Sequence, residues 1–202
     1  MSELREASKL RYEDVSLSDK IYSFLDNTFY KTETSKFERV IDKDRQVKGL
    51  DVIFTYNGKE YKADEKAAVR YRNLTTYALE LSFINRRNEV QEGWLVRDDL
   101  ENDSYVFVWV DKNKFTEKES VTLAVVTKDK LNKRLESLGW SKANLRKKMA
   151  NIRDGKITNM GNLLTYGCKF TFSEKYVEKP INILLPREDY MEIADVVWTS
   201  DL

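Results

Sequence analysis

The 202 residues suit one domain, and 41% hydrophobic content supplies a core. A net charge of +1 leaves no bulk electrostatic argument for or against a nucleic-acid partner, so any basic footprint has to come from local clustering. The complete lack of histidine excludes histidine zinc sites, Ser-His-Asp triads, Cys-His pairs and HNH-type centres, and the single cysteine, Cys168, excludes an intrachain disulfide and fits a reducing compartment.

A site built from carboxylates and lysine is among the few hydrolytic designs left. No Gly-rich phosphate loop and no internal repeat is present. No apolar run approaches the ~20 residues that span a bilayer. The segment Met1–Glu6 is charged and lacks the apolar centre of a signal peptide, so a soluble cytoplasmic protein is expected. Pro180 and Pro186 are the only prolines and no low-complexity linker occurs, so 1–202 reads as one domain. Its core would span about 18–110, with an elaboration over about 111–202.

In chain order, residues 1–17 are polar and read as irregular or partly helical. Ser16 or Ser18 can cap a helix running to about Lys31. Ile21, Phe24, Leu25 and Phe29 form its apolar stripe. Phe37–Asp42 reads as a short strand. Lys43–Lys48 is a polar loop whose Arg45, Gln46 and Lys48 can touch a phosphate backbone.

The segment from Gly49 to Lys66 reads as two strands joined by Asn57-Gly58, a pair that accepts positive φ at both central turn positions. Pairing outward from this turn sets Tyr56 against Lys59 and Asp51 against Asp64, within cross-strand contact range. The period of two places Asp64 and Lys66 on one face and Glu65 on the other. Two neighbouring carboxylates are tolerated best with a cation between them. Mg²⁺ prefers oxygen ligands and uses one or two carboxylates together with phosphate oxygens. An adjacent lysine then holds or deprotonates a water.

Asp51, a hairpin and then Asp64-Glu65-Lys66 resembles the PD-(D/E)xK nuclease superfamily, the restriction-endonuclease-like fold, over roughly Phe37 to Phe83. The residue before the first acid is Leu50 here rather than proline. The resemblance implies catalytic Asp51, Asp64 and Lys66. It implies Mg²⁺, with Mn²⁺ as substitute, held by Asp51, Asp64 and the main-chain carbonyl of Glu65. It also implies an extra acid on the preceding helix, for which Glu13, Asp14, Asp19 and Asp26 are candidates, and it admits a homodimer.

Beyond the hairpin, Ala67–Leu74 reads as a short helix or turn with Arg70 and Arg72 exposed. A strand follows at Thr76–Ile84, where Glu80 is a candidate third acid because a central-strand carboxylate is costly unless paired or metal-bound. The resulting order, helix, three strands, short helix, strand, is the αβββαβ core that the resemblance implies. The expected fold class is therefore mixed α/β, with a mixed central sheet extended by later strands and helices.

Gly93–Val96, Ser104–Val110 and Val121–Val126 read as further strands, with Trp94 and Trp109 as packing residues. Two helices follow, at about Lys128–Leu138 and from an N-cap at Ser141 to about Arg153. The second carries Lys142, Arg146, Lys147, Lys148 and Arg153, the densest basic cluster in the chain and a candidate nucleic-acid surface. Thr158–Gly167 is a polar loop. Cys168–Phe172 and Ile181–Leu185 read as strands, and Arg187–Val197 as a short helix or mixed segment. The expected function is metal-dependent phosphodiester hydrolysis, on DNA in preference to RNA. The alternatives are a non-catalytic nucleic-acid- or protein-binding module on the same fold, or an unrelated α+β interaction protein.

Overall fold

The computed structural model describes residues 17–157, 160–161, 167–174 and 176–202. Ser16, Glu13, Asp14 and most of the expected Thr158–Gly167 loop lie outside these residues. The contacts divide the chain into two compact units, although the sequence reads as one domain. One unit comprises Met1–Leu74, Asn102–Val125 and Asp195–Leu202, and the other Thr75–Glu101 and Val126–Ala194. The architecture is mixed α/β, and no described helix is long and apolar enough to cross a membrane.

In the first unit, helix α1 covers 17–33. Its α-helical part ends at a π-helical turn, Asp26–Tyr30, before Lys31–Glu33 closes it. Ile21, Leu25 and Phe29 are buried, as the apolar stripe predicts, and the wider π turn lets the neighbouring Tyr30 face inward too. Strand β1, Lys36–Arg39, is shorter than expected, because Asp42 starts a helix instead of ending a strand. Its carboxylate accepts from the N–H groups of Asp44 and Arg45 and caps α2, Lys43–Val47, where the sequence suggests a loop.

Strands β2, Val52–Tyr56, and β3, Lys59–Arg72, form the expected hairpin. Asn57 and Gly58 have φ of 49° and 80°, a turn whose twist matches the strands it joins. Tyr56 pairs with Lys59 and Val52 with Ala63. The helix or turn expected after Lys66 is absent. Strand β6, Ser104–Lys112, lies parallel to β3 and pairs Ala67 with Val108 and Ala68 with Trp109, so ladder bonds carry β3 on as a strand.

The sheet is completed by β7, Glu119–Thr127, and β10, Val196–Asp201, in the order β1-β2-β3-β6-β7-β10. Its core joins Ile21, Leu25, Phe29 and Tyr30 of α1 to Val52, Phe54, Val106, Val108, Leu123 and Val125. The helix or mixed segment expected over Arg187–Val197 reaches only the first two residues of β10. Strand β10 pairs antiparallel with β7, from Val196↔Val125 to Asp201↔Ser120.

The second unit is built on the sheet β5-β4-β9-β8. Its strands are β4 (Thr76–Ile84), β5 (Val90–Glu92), β8 (Lys169–Phe172) and β9 (Ile181–Pro186). The expected strand at Gly93–Val96 is a turn. A Cβ at Gly93 would fall 2.4 Å from the Glu80 carbonyl oxygen, so the chain reverses there against β4, and only glycine fits. Helices α3 (Lys128–Ser137) and α4 (Lys142–Arg153) are capped by Thr127 and Ser141, and α5 spans Arg187–Ile193. Cys168 is buried, as expected of a small core residue.

Candidate active site at the hairpin

The hairpin ladder ends at Val52↔Ala63, one pair short of the Asp51–Asp64 pairing that the turn position predicts, yet the Asp51 side chain still reaches the Asp64 carboxyl. The Asp51 N–H donates to the Ala63 carbonyl at 2.9 Å, and Asp51 Oδ2 accepts from the Glu65 N–H at 2.9 Å. Lys66 Nζ lies 2.7 Å from Asp64 Oδ1. Two carboxylates and one ammonium therefore converge at one end of the hairpin. Asp64 faces Tyr105 across the parallel ladder and is only 3% exposed.

Burial pushes the Asp64 carboxyl up to about 7, with the Lys66 ammonium pulling it down and the Asp51 carboxylate pushing it up. Its charge is poorly accommodated without a further cation. Burial and the Asp64 carboxylate likewise raise the Tyr105 hydroxyl, which stays protonated.

Glu65 points to the opposite face, into the core under α1. The Tyr30 hydroxyl donates to its Oε1 at 2.6 Å, and Arg39 forms ion pairs with both Glu65 and Asp26. Burial raises the Glu65 carboxyl, while Arg39 and Tyr30 oppose that rise. Burial alone would weaken the Arg39 cation, but Glu65 and Asp26 outweigh it and the guanidinium stays charged. Arg39 also lies 5.6 Å over the Tyr22 ring. The Tyr22 hydroxyl reaches the Glu65 main-chain carbonyl at 3.5 Å and is held protonated by burial and by the Glu65, Asp51 and Asp64 carboxylates. Tyr22, Asp26, Arg39, Asp51 and Glu65, with Asp19, Ser23 and Gln46, line a cleft of about 420 Å³.

The other expected residues are dispersed. Gln46 borders the cleft and donates to the Val40 carbonyl at 2.8 Å. Arg45 is 3.9 Å from Glu38, and Lys48 is exposed at the end of α2. Arg70 is half-buried on β3, and Arg72 clamps Glu119 at 2.7 Å. Among the candidate helical acids, Asp19 lines the cleft and Asp26 is bound to Arg39. Glu80 belongs to the second unit, on β4 opposite Asn182.

The basic row of α4, also in the second unit, is largely turned to internal partners. Lys142 pairs with Asp98 at 2.6 Å. Arg146 holds Glu92 at 2.7 Å, Asp98 at 2.8 Å and the Val96 carbonyl at 2.7 Å. Lys148 lies over Phe170, and Arg153 donates to Ser82. Hydrogen bonds from Lys142 and Arg146 hold the Asp98 carboxyl down to about 2. Lys147 remains exposed.

Sequence reasoning missed Tyr22, Tyr30, Arg39 and the Glu65 side chain. One signal was present. Alternation places Glu65 between Ala63 and Ala67 on the core face, where a charge requires partners. Among the described residues, no three Asp, Glu, Cys or His side chains form a metal-holding group. Asp51 and Asp64 could offer two hard carboxylate oxygens to a cation. No family model, curated protein or solved structure matches the chain.

Proposed function

We propose that this protein is a Mg²⁺-dependent nuclease of the PD-(D/E)xK kind that hydrolyses phosphodiesters in nucleic acid, DNA in preference to RNA. The observation that carries the reading is the convergence of the Asp51, Asp64 and Lys66 side chains at the end of the hairpin, with Lys66 Nζ 2.7 Å from Asp64 Oδ1. The order of elements adds support. Helix α1, the β1-β2-β3 meander and β6 parallel to β3 match part of the αβββαβ plan, but the short helix expected after Lys66 is strand, and the expected closing strand, Thr76–Ile84, is β4 of the second unit's sheet.

Asp51 and Asp64 would hold the cation, with the Glu65 main-chain carbonyl as a third oxygen. Bound Mg²⁺ would neutralise phosphate charge and lower the pKa of a coordinated water. Lys66, on the face of Asp64, orients the attacking water and offers positive charge to the phosphate. Asp51 keeps its position through the Glu65 N–H. Tyr30 and Arg39 fix Glu65 from the other face, so the strand bearing the acids cannot slide. Asp64 has to shed its proton for the cation to enter, so metal affinity falls as pH drops below about 7.

Mn²⁺ calorimetry on the wild type and on Asp51→Asn/Asp64→Asn is the test. Binding by the wild type alone is expected, followed by loss of cleavage in Lys66→Ala with folding intact. Equal heats from both proteins would refute the catalytic reading, and nucleic-acid binding without a metal site would assign a non-catalytic module.

A further inference from the structure

The turn between β6 and β7, residues 113–118, is tied to itself. Asn113 Oδ1 accepts from the N–H groups of Phe115 at 2.8 Å and Thr116 at 3.1 Å, and its own N–H donates to the Lys118 carbonyl at 2.9 Å. The Glu117 N–H donates to the Asn113 carbonyl at 2.9 Å, and Lys112 pairs with Glu117. At the tip of this well-bonded turn, Phe115 is 98% exposed. Burying such a ring is worth about 1.5–3 kcal/mol, a gain that the fold leaves unused.

The end of β3 lies alongside. The Asn73 amide exchanges two hydrogen bonds with the Lys112 main chain, at 3.1 and 2.9 Å. Tyr71, 57% exposed, is two residues before it. Lys114 and Lys118, both exposed, flank Phe115. The nearby acids Glu117 and Glu119 are engaged by Lys112 and Arg72.

We propose that this turn is a base-stacking finger for single-stranded nucleic acid, an inference that rests on the nuclease reading of the hairpin and deepens it by naming the substrate class. Every base offers a π face to an exposed ring, and ammonium groups beside the ring meet the phosphates. A duplex carries twice the phosphate charge per unit length and calls for a broader basic face than Lys114 and Lys118 provide here. Asp64 and Tyr71 lie on the same strand, which bulges between Ala68 and Arg72; Asp64 pairs with Tyr105 and Arg72 with Val110, about 17 Å along β6 at some 3.3 Å per residue, so a strand held by the finger would be gripped at a fixed offset from the acids.

The test is fluorescence anisotropy of a labelled fifteen-nucleotide thymidine strand with EDTA present, so that no hydrolysis intervenes. Phe115→Ala is expected to weaken binding about ten-fold. Phe115→Trp is expected to restore affinity, with its indole emission quenched on adding the strand. Equal affinity for wild type and Phe115→Ala, or unchanged emission in Phe115→Trp, would overturn the proposal. Tighter binding of a duplex, or Phe115-dependent binding only to phosphatidylcholine–phosphatidylserine vesicles, would overturn it as well. Mn²⁺ calorimetry separates the two readings. Intact metal binding with no Phe115 effect sinks only the finger, whereas Phe115-dependent strand binding without a metal site sinks only the catalytic reading.

Discussion

Asp64 is a carboxyl that folding moves out of water beside a second carboxyl, with one lysine as compensation. Because its folded pKa, about 7, lies above that of an unfolded aspartate, its stability contribution is fully present below about pH 4 and is lost as pH rises through about 7. In chelated buffer, Asp64→Asn should therefore gain stability over wild type from pH 4 to pH 8, by about 4 kcal/mol at most. Denaturant midpoints at pH 4.5, 6 and 8 measure this, and a gain that grows toward acid would contradict the assignment. The pair itself was legible in the sequence, because a two-residue turn and a period of two are local rules. The partners of Glu65 were not, since Tyr30 and Arg39 reach it only when α1 and β1 pack, 35 and 26 residues away along the chain.

Among the elements, those with strong local punctuation were readable. The Asn57-Gly58 hairpin, the apolar stripe of α1 and the Ser141 cap of α4 all stand where the sequence puts them. Those decided by distant partners were not. Ala67–Arg72 has no local reason to be a strand until β6 lies beside it, and β10 none until β7 does. Helix α4 shows the same limit in its charges. Its basic row resembles a docking face, but Glu92, Asp98 and Ser82 take up much of it. Arg146→Ala should accordingly lower stability by about 1 kcal/mol, a figure reduced for solvent screening at this half-exposed pair, and the loss should shrink in high salt. Oligonucleotide affinity should stay within two-fold of wild type, as roughly the noise of such a titration. A large fall in affinity with unchanged stability would return α4 to the binding surface.

At the scale of the whole molecule, burial separates the strands of the six-stranded sheet. Strands β3 and β6 pair on both sides, and Val106, Phe107, Val108 and Trp109 are fully buried, whereas β1 and β10 are edges. Amide exchange should be slowest across Ala63–Ala68 and Tyr105–Val110 and faster in Lys36–Arg39 and Val196–Asp201. Protection that peaks in β10 instead would contradict the sheet order. The sequence read as one domain with a late elaboration, and nothing local betrays that the chain leaves the first unit after Leu74, re-enters it at Asn102, leaves after Val125 and returns at Asp195.

That last return has a consequence for synthesis on the ribosome. Strand β7 emerges well before β10, with α3, α4, β8, β9 and α5 made in between. Until β10 arrives, the outer edge of β7, from Ser120 to Val125, has no ladder partner. A nascent chain therefore passes the interval between β7 and β10 with an open, apolar strand edge, a template for pairing with the wrong neighbour.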